Sequence, residues 1–444
     1  MSEDKLEKVF IKTLGCPKND VDSDIMVRHL VESGWTIVDK LMEADVAIVN
    51  TCGFIEEAKA ESIEAIWDIV RVKKSGKIDS IIVTGCLAER YGNVLVEEIP
   101  ELDAVFGNRD PREIDSVIVE ARTCPNKPYH SVPQKFVGDW YEKPTDISHP
   151  AWSYLKITEG CDNRCSYCAI PSIRGSLRSA PLDSIVKQAE HFVRAGAKEI
   201  VLIGQETTAY GLDTGQNLFP KMLRRISEID GDFGIRVLYS HPRHLNTENI
   251  RAIVETPKLL PYLDMPIQHI SDSMLSSMNR HITGQRIRET VGILREQRPD
   301  IALRTSVIVG FPGETDDDFD ELATFLEEGH FIHGGVFAYS IEDGTPAASF
   351  DNQVPSDLAQ ERKLLIEMIF DGIRHTANKS IEDKILPVLV EREGSRRGIM
   401  WGRTIYDAPE IDRMVRFRGE ANIAEIVDVR ILKGTGYHLL GVRE

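Results

Sequence analysis

Apolar and polar positions fall into three successive textures along this chain. Near its start, Val9-Phe-Ile-Lys-Thr-Leu-Gly15, Val46-Ala-Ile-Val-Asn-Thr51 and Ile81-Ile-Val-Thr-Gly85 are short, apolar and rich in β-branched residues, which predicts buried strands. Residues 20–34 and 55–74 between them carry a helical period, so the alternation predicts an open parallel sheet. From Trp152 a second series begins, with strands expected at residues 154–158, 199–203, 235–240, 262–266, 304–309 and 333–339. Helical patterns at 182–196, 247–255 and 285–297 lie between them, predicting a partial, six-unit parallel (βα) barrel. Beyond about Ser380, five short alternating runs near 384–392, 398–404, 414–418, 424–432 and 437–442 are separated by Gly and charged turns, which predicts a small β-barrel. The fold class is α/β, with domains expected at 1–124, 151–377 and 378–444. Residues 125–150, rich in proline and polar side chains, read as a linker.

With 444 residues, 42% hydrophobic and 28% charged, the chain is long enough for about three ordinary soluble domains. Its amino terminus, Met1-Ser-Glu-Asp-Lys-Leu-Glu-Lys, lacks the apolar core of a signal peptide, and no run approaches the roughly 18 apolar residues of a membrane span. A net charge of −18 favours a basic partner over a grip on phosphates. Residues 379–444 hold 12 Lys and Arg against 11 Asp and Glu, so the terminal barrel lacks the excess basicity of an RNA-gripping module. Its Asp407, Glu410 and Asp412 form an acidic loop expected to meet a basic protein.

Cysteine placement changes the picture most. Cys161-Asp-Asn-Arg-Cys165-Ser-Tyr-Cys168 puts three thiols in one loop with no fourth ligand nearby. A structural zinc site takes four protein ligands. A four-iron cluster held by three thiolates keeps one iron open to a ligand that is not protein. This spacing is similar to the signature of radical S-adenosylmethionine (SAM) enzymes, in which that iron chelates the methionine part of SAM. Cys16, Cys52 and Cys86 each follow one of the first three strand-like runs. Ligand sites of parallel sheets gather at the carboxyl ends of the strands, so these three are expected to converge on a second cluster site. Cys124 joins neither set. Six cysteines committed as thiolates imply a reducing, cytoplasmic compartment.

Other candidates lie at strand ends. Gly204-Gln205-Glu206-Thr207 offers backbone groups and a carboxylate to the SAM ammonium. Gly310-Phe-Pro-Gly313 permits close approach of a flat ligand such as adenine, and Gln268 is placed to hydrogen-bond a ribose. Tyr167 lies beside the cluster, whereas His269 reads as a structural residue. Arg174 and Arg178 read equally as ligands of a carboxylate or the cofactor and as surface charges. Thr315-Asp-Asp-Asp318 reads as a capping box.

The chain resembles the methylthiotransferases over nearly its whole length. The resemblance rests on Thr13-Leu-Gly-Cys-Pro-Lys-Asn19, Asn50-Thr-Cys-Gly-Phe-Ile55, Gly85-Cys-Leu-Ala-Glu-Arg-Tyr91, Glu159-Gly-Cys-Asp-Asn-Arg-Cys-Ser-Tyr-Cys168 and Phe337-Ala-Tyr-Ser-Ile-Glu-Asp-Gly-Thr-Pro-Ala347. It implies a radical SAM core, an amino-terminal domain with a second four-iron cluster, and a terminal TRAM domain. Cys16-Pro-Lys-Asn, Tyr239-Ser-His-Pro-Arg243 and Tyr406-Asp-Ala-Pro-Glu-Ile-Asp412 resemble the branch that modifies an aspartate of the twelfth small-subunit ribosomal protein. Arg413 departs from that branch, where glycine usually follows. The alternative branch modifies tRNA adenosine. The resemblance implies two SAM-dependent events: methylation of a sulfur carried on the second cluster, and cleavage of SAM at the first to a radical that takes hydrogen from the aspartate β-carbon. It implies no catalytic residues beyond the cluster ligands, and it implies an external electron donor.

Overall fold

A computed structural model describes residues 7–108, 110–123, 129–131, 139–147 and 149–444; Cys124 lies outside them. Contacts divide the chain into two compact units. One comprises Met1–Asp146, Glu159–Asp162 and Cys168–Ser184, and the other Ile147–Thr158, Asn163–Tyr167 and Ile185–Glu444.

In the first unit six parallel strands form one sheet. Its order is Thr36–Ile37, Lys8–Thr13, Val46–Thr51, Ser80–Gly85, Ala104–Phe106, Tyr129–Ser131. The chain runs from Lys8–Thr13 to one edge, then returns to its other side, so the winding reverses between Lys8–Thr13 and Val46–Thr51. Every residue of Val46–Thr51 and Ser80–Gly85 is buried, as a sheet covered on both faces requires. Ile66, Ile69, Val70, Val83, Leu87 and Leu95 pack in one apolar cluster, while Met26, Leu30, Ile48, Phe106, Ile114 and Ile118 pack in another. Each such side chain contributes roughly 1.5–3 kcal/mol through burial. Part of the segment expected as a linker is sheet instead: Tyr129–Ser131 pairs in register with Ala104–Phe106. Three residues are too few for a hydrophobic period, so backbone pairing at an edge leaves no trace in the pattern.

In the second unit six parallel strands follow chain order: Trp152–Lys156, Glu199–Ile203, Gly234–Val237, Leu259–Asp264, Ala302–Val309 and His333–Ala338. The two edge strands are not paired, so the barrel is open, as six units rather than eight predict. Thr315 caps helix Asp316–Glu327 with the expected reciprocal pair, its hydroxyl accepting from Asp318 N–H while Asp318 accepts from Thr315 N–H. Five strands, Ile385–Glu393, Ile399–Arg403, Met414–Arg418, Ile426–Thr435 and His438–Arg443, close the terminal barrel around Val388, Val415, Phe417, Val429 and Leu439. No helix among the described residues is long and apolar enough to cross a membrane.

The acidic loop after Arg403 corrects an expectation. Asp407 is 0% exposed and the side chain of Asp412 2%, so neither carboxylate is offered to a partner. Asp407 pairs with Arg413 at 2.8 Å and His333 at 3.2 Å, and Asp412 pairs with Arg304 and the Tyr262 hydroxyl. Beside them Arg236 and Arg403 share Glu199. The exposed Glu410 accepts from the Tyr154 hydroxyl at 2.8 Å. The loop thus ties the terminal barrel to the strands of the six-stranded sheet. Arg413, also bonded to Asn378, belongs to this tie. Counting acidic residues could not reveal it, because their cationic partners come from distant strands. Burial works against the Asp407 charge, but Arg413 and His333 hold its carboxyl well below the usual range.

A carboxyl with a depressed pKa adds stability above its unfolded value of roughly 4, and that stability is lost as pH falls through the folded value. Asp407→Asn should therefore cost about 3–5 kcal/mol at neutral pH, because it leaves buried cations without their counter-charge. Denaturant midpoints at several pH values check this, and the gap to wild type should narrow below about pH 4.

Candidate functional site

In the first unit the strands preceding Cys16, Cys52 and Cys86 are consecutive neighbours in the sheet. The register pairs Thr13 with Asn50 and Thr51 with Gly85, so the three carboxyl ends stand side by side. Cys16 is the N-cap of helix Pro17–Glu32, Cys52 directly follows its strand, and Cys86 opens helix Cys86–Glu98. The turn at Gly15 (φ +100°) passes so near Cys52 that an added Cβ would stand 3.0 Å from its Sγ. Asn19 holds the turns together, its Nδ2 donating to the carbonyls of Leu14 and Thr51. Asn108 Nδ2 donates to Cys86 Sγ at 3.6 Å.

Burial, with Cys86 and Cys16 adding to it, pushes the Cys52 thiol up to about 11. Burial also raises Cys86, against the pull of Arg174. Arg174 is 2% exposed; it donates to Asp22 at 3.0 Å, Glu159 at 2.9 Å and Asn19 Oδ1 at 2.6 Å. Burial opposes its charge, but Cys86, Glu159 and Asp22 more than offset that cost, so the guanidinium stays cationic. Of the two readings left open for Arg174, a surface charge is excluded: it is a buried cation paired with Asp22 and Glu159 next to the Cys86 thiol. Arg178 is only half-buried and donates to the carbonyls of Arg174 and Ser176.

Among the described residues no three His, Cys, Asp or Glu side chains are grouped to hold a single metal ion. Thiolates of a four-iron cluster bind separate irons and stand farther apart than the ligands of one ion. The donor set fits such a cluster in kind: three reduced thiols, two amides and a cation. Loading requires the raised thiols to lose their protons, which are released as the metal binds.

Of the loop cysteines, Cys161 and Cys168 are half-buried and Cys165 is 7% exposed. In the second unit Arg280 donates to Cys165 Sγ at 3.7 Å, the Tyr167 hydroxyl at 3.3 Å and the Pro266 carbonyl. Arg280 was not legible in the sequence, since Met278-Asn-Arg-His281 has neither period nor motif. The backbone marks it instead: Asn279 and His281, on either side, both have positive φ. Tyr167 meets Phe311 edge-on at 6.5 Å and packs with Met274, Met278 and Ala347.

The remaining candidates lie beyond the second, fourth and fifth strands of the same sheet. Buried Gly204 and half-buried Gln205 follow Glu199–Ile203. Glu206 accepts from Thr208 N–H at 3.0 Å, the Thr208 hydroxyl and His241 N–H at 2.9 Å, and burial pushes its carboxyl up to about 7. Gln268 has φ +69°, its N–H bonded to Ser306 and its carbonyl to Ile308. Gly310 has a packing reason: a Cβ there would lie 2.3 Å from that of Ala359, and its N–H is taken by Glu314 at 2.6 Å. His269 is wholly buried between Glu314 and Ser271, the structural role expected of it.

Residues 8–107 match Uncharacterized protein family UPF0004, residues 155–326 the Radical SAM superfamily, and residues 384–443 the TRAM domain. Among solved structures, the chain is similar to the radical SAM methyltransferase TsrM of Kitasatospora setae, with TM-score 0.55 and 15% identity over 77% of each chain. It is also similar to the cobalamin-dependent radical enzyme OxsB, with TM-score 0.52 and 13% identity over 82% of this chain and 56% of that one. Both likenesses concern the fold alone. The ribosomal protein uS12 methylthiotransferase RimO of Geobacter sulfurreducens is 44% identical over 98% of either chain. Its counterpart in Desulforamulus reducens is 42% identical over 98% of this chain and 99% of its own. The RimO of Thermotoga maritima is 39% identical over 98% and 99% respectively. With three matched domains in one order and full-length identity of this size, the chain belongs to the RimO family of radical SAM methylthiotransferases.

Proposed function

We propose that this chain adds a methylthio group to the β-carbon of an aspartate in ribosomal protein uS12. It does so with two four-iron clusters, one on Cys161, Cys165 and Cys168 and the other on Cys16, Cys52 and Cys86. The observation that carries this reading is the second triad, on three adjacent strand ends with Arg174 as its internal cation. When bound, the clusters and SAM supply reductive cleavage of SAM and a site for the transferable sulfur.

The chain's own residues have separable parts. Asn19 and Asn108 position the thiols, and Arg174 offsets the negative charge of their thiolates. Arg280 donates to both Cys165 Sγ and the Tyr167 hydroxyl and so holds the two together. Glu206, Gln205, Gln268 and Gly310 stand at the strand ends where SAM is expected to lie. An external reductant and a reducing, cytoplasmic compartment follow from the six thiolates. The overall charge of −18 favours encounter with a basic ribosomal protein, and the near-neutral terminal barrel favours it over tRNA. Mass spectrometry of uS12 and tRNA from a deletion strain tests the substrate: loss of methylthio-aspartate supports the reading, and loss of a methylthiolated nucleoside alone overturns it.

Anaerobically reconstituted protein is expected to bind about eight irons, and the joint Cys16→Ala, Cys52→Ala, Cys86→Ala variant about four. Iron analysis with electron paramagnetic resonance checks the count; unchanged iron in the variant excludes the second site. The two triads should also divide the reaction. Cys165→Ala should lose 5′-deoxyadenosine formation altogether. Cys52→Ala should retain it while forming no methylthiolated uS12, and product from Cys52→Ala would show that the roles are assigned wrongly.

A further inference from the structure

We propose that His241 and Arg280 form a carboxylate-binding subsite at the carboxyl ends of the six-stranded sheet. The proposal deepens the reading of the chain as a SAM enzyme acting on an aspartate, and rests on it.

His241 follows strand Gly234–Val237, and its backbone N–H donates to Glu206 Oε2 at 2.9 Å. Its ring Nδ1 accepts from Arg243 N–H at 3.1 Å, which places the proton of the neutral imidazole on Nε2. That Nε2 is buried and has no hydrogen-bond partner among the described residues. Arg280 is 4% exposed, and both of its terminal nitrogens are engaged, by Tyr167 and Cys165 on one side and Pro266 on the other. Its Nε–H is likewise buried without a partner. Two buried donors without acceptors at one rim are costly, about 1–3 kcal/mol each, and call for an acceptor from outside the chain.

Charge selects the acceptor. The groups acting on His241 are Arg280, His244, Arg243 and His281, all basic. The carboxyl beside them, Glu206, is already occupied by Thr208 and His241 N–H. An incoming anion therefore meets two free donors in a basic setting, and a carboxylate supplies two oxygens for two N–H groups. Burial holds His241 neutral, so it serves as a hydrogen-bond donor, while Arg280 brings the charge. Two carboxylates are present in the reaction: that of the methionine part of SAM and that of the substrate aspartate.

His241→Asn separates the donor from the fold. Asparagine Oδ1 can still accept from Arg243 N–H, but nothing replaces Nε2. His241→Gln places an N–H near the Nε2 position and serves as the rescue. Both are compared with wild type as reconstituted holoenzyme of equal iron content. Equilibrium binding is measured for SAM and for decarboxylated SAM, and KM and kcat are measured with purified uS12. If the subsite takes the SAM carboxylate, His241→Asn weakens SAM about 10-fold or more, leaves decarboxylated SAM unchanged, and His241→Gln recovers part of the loss. If it takes the substrate carboxylate, SAM binding is unchanged and KM for uS12 rises about 10-fold. The proposal is overturned if SAM and decarboxylated SAM weaken equally, if no parameter changes, or if His241→Gln recovers none of the loss; where His241→Asn fails to hold its iron, His241→Ser takes its place with the same outcomes. A wild-type enzyme that leaves uS12 unmodified refutes the substrate reading and leaves the SAM measurement to decide the subsite.

Discussion

Everything at the second thiol site depends on one constraint: hydrogen-bonded parallel strands must end together. Lys8–Thr13, Val46–Thr51 and Ser80–Gly85 are neighbours with continuous register, so the residues that leave them emerge at one edge. No special loop is needed to gather Cys16, Cys52 and Cys86. Each occupies the first few positions beyond a strand, where the chain turns toward a helix and a side chain is freed from the sheet's core. The reversal of winding between the first two of these strands opens the crevice that such sheets use for ligands.

Two buried carboxylates beside these thiols explain why a charge is tolerated inside the first unit. An isolated buried guanidinium would be prohibitively costly, and Arg174 persists because Asp22, Glu159, Asn19 and the thiol of Cys86 surround it. The second unit solves the converse problem with the same chemistry. Asp407 and Asp412 are buried carboxylates matched by Arg413, Arg304 and His333, and they attach the terminal barrel to the six-stranded sheet. In one place the buried charge lies beside thiols, in the other among groups that only pair with it. Residue type does not distinguish them; the partners do.

Backbone strain follows the same division. Tyr239 and Gln268 lie just beyond strand ends, Asn279 and His281 flank Arg280, and all four have positive φ without being glycine. Such conformations persist only where surrounding contacts over-determine them. Gln268, held by Ser306 and Ile308 on the neighbouring strand, shows how: pairing fixes the backbone and leaves the amide at the sheet's end. A site built this way is shaped before its ligand arrives, which lowers the ordering cost of binding.

The sequence by itself determined the order of the three architectures, most strand and helix positions, both cysteine triads and the capping box at Thr315. These follow from local rules: period, chain length, strand-end position and cap geometry act within a few residues of each other. Thr247–Glu255 and Met414–Arg418 begin and end where the pattern places them. Tertiary structure alone decided that Tyr129–Ser131 joins the sheet, since edge pairing demands backbone and no pattern. It also decided that the acidic loop is buried, that Arg174 is a counter-ion, and that Arg280 and His241 stand beside the candidate site. The reason is common to all of them. The energy of a charged or polar side chain is set by what surrounds it, and here those surroundings come from residues tens to hundreds of positions away.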